Sequence, residues 1–188
     1  MLIGLAKSGG ITWNNLPNAV QSNLEQQFLL ICQSSNENSI ANAFWAMGSL
    51  GARFDLNSQE ALFKDIMMES AVYASNCCAA WGLCNVLWGL AKMKFQWKDL
   101  PKSLTDSVVI NIARLEGSMN AFDIATLLWS VAELDFSLDS APKFFVESLL
   151  QDIEKTLVNM KAIELSRTIW GLSGSGLSWN MLPEGIKW

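Results

Sequence analysis

The chain has 188 residues, 51% hydrophobic and only 16% charged, with 18 acidic against 13 basic side chains and a formal net charge of −5. That length suits one domain, the apolar fraction excludes disorder, and the acidic balance argues against a generic polyanion binder, because phosphate binding is driven by cations. Histidine is absent, which removes Ser–His and Cys–His nucleophile pairs, imidazole zinc ligands and the commonest general base.

The predicted elements follow a repeat. The motif W-x-x-L-P occurs at residues 13–17, 97–101 and 179–183, and Ser58 and Pro142 stand near the midpoints of the intervals between them. A second ruler is Trp45, Trp88, Trp129 and Trp170, separated by 43, 41 and 41 residues. Both markers keep one period, which predicts an array of like units. In chain order these are a partial unit over 1–16, four units over 17–57, 58–100, 101–141 and 142–182, and the start of a further unit over 183–188. Each complete unit contains a first helix, expected over 18–33, 58–73, 102–115 and 141–158. Proline or serine at its start suits the first turn, where a missing N–H costs nothing. A second helix is centred on the tryptophan. Strand signals are weak throughout.

The tryptophan helix has a fixed context. Ile40, Leu83, Ile124 and Leu165 stand five residues before the Trp. Phe44, Leu87, Leu128 and Ile169 stand one before, and Met47, Leu90, Val131 and Leu172 two after. These offsets share one face of a helix. Small residues at +1 (Ala46, Gly89, Ser130, Gly171) and +3 permit a second helix to approach closely. The fold expected is therefore all-α, an α-solenoid of about four helix-hairpin repeats of roughly 41 residues. Neither end carries a polar capping unit, so both ends are expected to expose apolar surface.

Segments such as 85–92 (NVLWGLAK), followed by the W-x-x-L-P of 97–101, resemble the octotricopeptide repeats of algal organelle proteins. They are also similar to the heptatricopeptide repeats of organelle proteins across eukaryotes. The likeness covers nearly the whole chain. The unit here is a few residues longer than theirs, and the chain is acidic where their RNA-binding members tend to be basic. The resemblance implies a protein of mitochondria or chloroplasts that binds single-stranded RNA to stabilise, process or translate transcripts. It also allows a protein–protein scaffold subunit of a larger assembly, such as an organelle ribosome.

A polar position varies along the repeats. Three residues before each Trp stand Asn42, Asn85, Thr126 and Arg167, and four after stand Ser49, Lys92, Glu133 and Gly174. With offsets −6 and +1 they fall on one helix face, opposite the apolar stripe. A solenoid would stack such faces into a surface with one changing polar residue per repeat, the logic of RNA readers that take about one base per repeat. The expected RNA contacts are Asn42, Asn85, Thr126, Arg167 and Ser49, with Lys92 and Lys98 from the basic cluster Lys92, Lys94, Lys98 and Lys102. The same face also reads as plain solvated surface. The repeat tryptophans could stack bases, but their apolar and small neighbours favour core packing. Trp81 and Trp188 lie outside the repeat positions and are freer to bind.

Other chemistry finds little footing. Cys32, Cys77, Cys78 and Cys84 form no CxxC pair and read as small hydrophobes in a reducing compartment. No metal, cofactor or catalytic pair is expected, since the carboxylates are scattered. Gly171, Gly174 and Gly176 spell G-x-x-G-x-G but follow no strand, against a nucleotide loop. The N-terminus does not read as a secretory signal. The uncharged run 70–91 is long enough to span a bilayer, but its Asn, Ser and Gly content predicts a buried helix pair instead.

Overall fold

The computed structural model describes residues 2–7, 10–54 and 61–187. Among them are nine α-helices and no strand: α1 Leu2–Lys7, α2 Asn18–Cys32, α3 Glu37–Leu50, α4 Ala61–Cys77, α5 Ala80–Lys92, α6 Lys102–Arg114, α7 Ala121–Glu133, α8 Lys143–Thr156 and α9 Ala162–Gly174. Every second helix is a neighbour. Helices α1, α3, α5, α7 and α9 pack in succession as one row, and α2, α4, α6 and α8 as another; α2 with α3, α4 with α5 and α7 with α8 join the rows. We call these the tryptophan row and the proline row.

The expected helix pattern is present, with shifted ends. Helix α4 runs to Cys77 rather than to residue 73, and its expected start at Ser58 lies outside the described residues. The uncharged run 70–91 breaks between α4 and α5, and no helix among the described residues is long and apolar enough to cross a membrane.

Two local devices recur. In W-x-x-L-P the tryptophan opens a single 3-10 turn, at Trp13–Asn15, Trp97–Asp99 and Trp179–Met181. Pro17 and Pro101 then sit at a helix N-cap in extended geometry, as Pro142 does without the preceding tryptophan, and each carbonyl accepts the first helical N–H. Val20 donates to Pro17, Leu104 to Pro101 and Phe145 to Pro142, at 2.8–3.0 Å. Proline suits this position because its locked φ starts the helix and it has no N–H to leave unpaired.

The second device ends four helices of the tryptophan row. Gly51, Lys94, Asp135 and Gly176 all adopt the left-handed conformation, with φ of 73°, 67°, 60° and 79°. The next residue in each case, Ala52, Phe95, Phe136 or Leu177, donates its N–H back to Met47, Leu90, Val131 or Leu172 and is itself buried. This is a Schellman cap with its hydrophobic contact. The caps also join neighbouring segments: Trp97 N–H donates to the Leu134 carbonyl, and 41 residues on Leu138 N–H donates to Ser175.

The core runs between the rows. Ile40, Leu83 and Ile124, Phe44, Leu87 and Leu128, and Met47, Leu90 and Val131 are all fully buried. The small residues at +1 do what their size predicts. A Cβ added at Gly89 would lie 2.4 Å from the Phe44 carbonyl oxygen, and one at Gly171 2.6 Å from the Leu128 carbonyl carbon. Helix α5 thus lies backbone on backbone against α3, and α9 against α7.

Candidate functional site

The repeat tryptophans are not interior. Trp45 and Trp129 pack against the core while half-buried, Trp88 is half-buried and Trp170 is 47% exposed, so the core-packing expectation holds only at the edge of the core. Their rings form a ladder along the tryptophan row. Centroids are 6.1 Å apart for Trp45 and Trp88, 6.3 Å for Trp88 and Trp129, and 6.4 Å for Trp129 and Trp170, with interplanar angles of 23°, 41° and 26°. The reason lies in the helix seam. Offsets −1 and +1 enter the contact between neighbouring helices, so the Trp between them lands at the rim. There each ring covers part of the next and leaves the rest to solvent.

Cations gather on this ladder. The Lys92 ammonium lies 4.5 Å from the Trp129 ring centroid and 5.4 Å from that of Trp88, within cation–π range. Burial pushes its pKa down; Glu133 opposes that shift, while Lys94, Arg167 and Arg53 add to it. The Arg53 guanidinium donates to the Lys92 carbonyl, and Lys94 pairs with Glu133 at 3.0 Å. Cations near the carbonyl end of α5 are also favoured by its dipole. Together Trp45, Ser49, Arg53, Trp88, Lys92 and Lys94 line an open groove of about 550 Å³.

The expected site residues separate into groups. Ser49 and Lys92 reach this groove. Asn42, Asn85 and Arg167 are half-buried on α3, α5 and α9. Thr126 is 5% exposed, so it presents no edge to a ligand. The basic cluster divides: Lys92 and Lys94 line the groove, Lys98 is exposed on the turn Trp97–Asp99, and Lys102 is engaged with Asp106 at 2.8 Å.

The expected polar stripe is not a continuous surface. Its +1 members are buried in the helix seam, and at −6 Gly82, Asp123 and Glu164 are buried too. Those carboxylates serve the helix starts. Asp123 accepts from the Asn120 N–H at 3.2 Å as the acidic member of a capping box, and Glu164 accepts from the Lys161 N–H at 2.7 Å, the half of that arrangement that a lysine N-cap allows. The sequence carries that signal in Asn120-x-x-Asp123, where it competes with the binding interpretation.

Sequence reasoning named Lys94 in the basic cluster but not among the expected RNA contacts, and it missed Arg53 as a lining residue of the groove. A signal existed: Lys94 and Asp135 hold the positions filled by Gly51 and Gly176, and a non-glycine in a left-handed cap is unusual enough to examine. Trp81 is 40% exposed on α5; Phe122 and Ile163, at the same position of α7 and α9, are also exposed. Trp188 lies outside the described residues.

The thiols are mostly withdrawn. Burial pushes Cys32 up to about 12, Cys78 up to about 11 and Cys84 well up, while Cys77 is exposed. Among the described residues no group of three His, Cys, Asp or Glu side chains could hold a metal ion. Compared with known proteins, the chain matches no family model, no curated protein and no solved structure.

Proposed function

We propose that this chain is a non-enzymatic binding module, an α-solenoid of four hairpin repeats that takes single-stranded RNA along the tryptophan row. Recurrence of the proline entry, the Schellman cap and the tryptophan contact at matching positions supports the solenoid. The observation that carries the RNA reading is the groove that Arg53, Lys92 and Lys94 line together with Trp45 and Trp88, with the Lys92 ammonium over the Trp88 ring. Cations beside aromatic rings are what a sequence-tolerant single-strand binder needs, one for phosphates and one for bases. Asn42 and Asn85 remain the side chains for base edges, and Thr126 is withdrawn from that role. The resemblance to organelle repeat proteins supports mitochondria or chloroplasts as the compartment.

Titration of a labelled random single-stranded RNA against salt tests this. Two or three phosphate contacts give a logarithmic salt slope of about −1.5 to −2. Arg53→Gln with Lys94→Gly is expected to bring it to about −0.7 or flatter by the same rule. No binding at low salt, or an unchanged slope in the double variant, removes RNA as the ligand of this groove.

A protein scaffold is the second reading. It is supported by the net charge of −5 and by apolar surface on the outer side of α9, where Ile169 and Trp170 are nearly half exposed.

A further inference from the structure

The outer side of α9 differs from its counterparts in one respect. On α3, α5 and α7 the residue before the tryptophan, Phe44, Leu87 or Leu128, is fully buried. Two of these show what covers them. The Phe44 carbonyl meets Gly89 of α5, and the Leu128 carbonyl meets Gly171 of α9. In each case the covering helix brings a tryptophan onto the ladder and places the small residue after it against the backbone below. On α9 the equivalent residue, Ile169, is 45% exposed, and among the described residues Trp170 is the last ring of the ladder. Beside them Leu172, Leu177, Trp179 and Ile186 line an apolar groove of about 380 Å³.

We infer that this face of α9 binds a protein helix carrying tryptophan followed by a small residue, Gly, Ala or Ser. The inference deepens the scaffold reading by naming the partner's chemistry, and it holds whether or not the other groove takes RNA. It rests on continuity with the seam already built between α3 and α5 and between α7 and α9. An incoming indole extends the ladder over Trp170. The small residue lets the incoming backbone descend onto Ile169, as Gly89 does onto Phe44. A bulkier residue would hold the two helices apart and leave the indole unstacked. A second copy stacked through its α1 does not supply this pair. Counted back 41 residues from Trp45 and Ala46, α1 offers Gly4 and Leu5.

The test uses the full chain and a labelled, hydrocarbon-stapled peptide of residues 159–176, which carries Trp170 and Gly171 as its own tryptophan–small pair. Fluorescence polarisation is expected to show saturable binding. Changing peptide Gly171→Leu or Trp170→Ala is expected to weaken it by about tenfold or more, the equilibrium counterpart of overpacking or emptying a close seam. Ile169→Glu in the protein, at an exposed position, is expected to abolish it while circular dichroism stays unchanged. If the Gly171→Leu peptide binds equally well, the face is a general apolar patch; the tryptophan–small inference falls and the scaffold reading stands. If no peptide binds, both fall. If the chain alone self-associates in sedimentation and Ile169→Glu abolishes that, the occupant is a second copy and the inference is overturned.

Discussion

The two rows of helices are held together by different means. Along the tryptophan row, α3 meets α5 and α7 meets α9 through glycine, so that backbone lies on backbone. The proline row spaces its helices with longer side chains. Between α4 and α6 it uses a polar cluster: Ser107 Oγ and Asn111 Nδ2 donate to Asn76 Oδ1 at 2.8 and 2.7 Å, and Arg114 Nε donates to Asn111 Oδ1. A glycine seam has one register and no slack. A cluster of hydrogen-bonding side chains can re-pair when one member is lost. The glycine contacts therefore fix how closely α3 meets α5 and α7 meets α9, and the polar cluster between α4 and α6 has more room to adapt.

Gly89→Ala is the sharpest way to break this contrast. The added methyl would sit 2.4 Å from the Phe44 oxygen, and backbone on both sides leaves nothing flexible to move. The expected loss is about 3 kcal/mol, the upper part of the overpacking range. Asn111→Ala in the proline row is expected to cost about 1 kcal/mol, since Ser107 still satisfies Asn76. Equal shifts in denaturant midpoint would dissolve the difference between rows.

Trp129→Ala removes a ring flanked by two others and one face of the Lys92 contact. Full burial of a large aromatic is worth 3–5 kcal/mol, so a half-buried ring should cost about 2 kcal/mol. Trp170→Ala, at the open end, should cost about half that on the same scale. A melt in which the two variants lose the same stability would mean that neither the deeper burial of Trp129 nor its second neighbouring ring adds to the fold.

Lys94→Gly should act in the opposite sense. Its φ of 67° is strained for a residue with a Cβ, whereas Gly51 and Gly176 meet the same requirement freely. Relief of roughly 1 kcal/mol, less a surface ion pair with Glu133 worth at most about that, leaves a gain of about 0.5 kcal/mol. Under the RNA reading the same variant should lose affinity. Stability and binding moving together would refute that assignment.

Each row also holds a buried aspartate whose pKa is pushed up. Burial raises Asp123 of α7 against the Asn120 N–H, and raises Asp152 of α8 against the Gly117 N–H and Lys155. The folded state then holds these protons more tightly than the unfolded chain does. Their contribution is fully present below the ordinary carboxyl value of 3.8 and is lost as pH rises through the raised native value. Asp152→Asn should flatten that part of the stability–pH curve. A curve unchanged by the substitution would show that the proline-row carboxyl is solvated after all.

Much of the helical pattern was legible because it is local. Spacing of Trp and Pro, the apolar offsets and the small residues all act within one helix or one turn. They placed α2, α3 and α5 to α9 within a few residues of where they lie. The end of α4 was misjudged because Tyr73 carries no stop signal, and Cys78 and Ala79 supply the break. The candidate groove was less legible. Arg53 and Lys92 lie 39 residues apart, and only the packing of α3 on α5 brings the arginine to the Lys92 carbonyl.

The sequence by itself determined the period, the helix entries at proline and the apolar face of each tryptophan helix, since each is a matter of local backbone preference and 3.6-residue geometry. What only the tertiary structure decided is which residues that face leaves open. Thr126 and Trp129 lie three residues apart on α7, yet one is closed off and the other stands at the rim. Helical periodicity gives the direction of a side chain, but exposure depends on how close the next helix comes. That distance is set by residues 45 and 43 positions away, Gly89 on Phe44 and Gly171 on Leu128, in contacts that exist only once the rows have assembled.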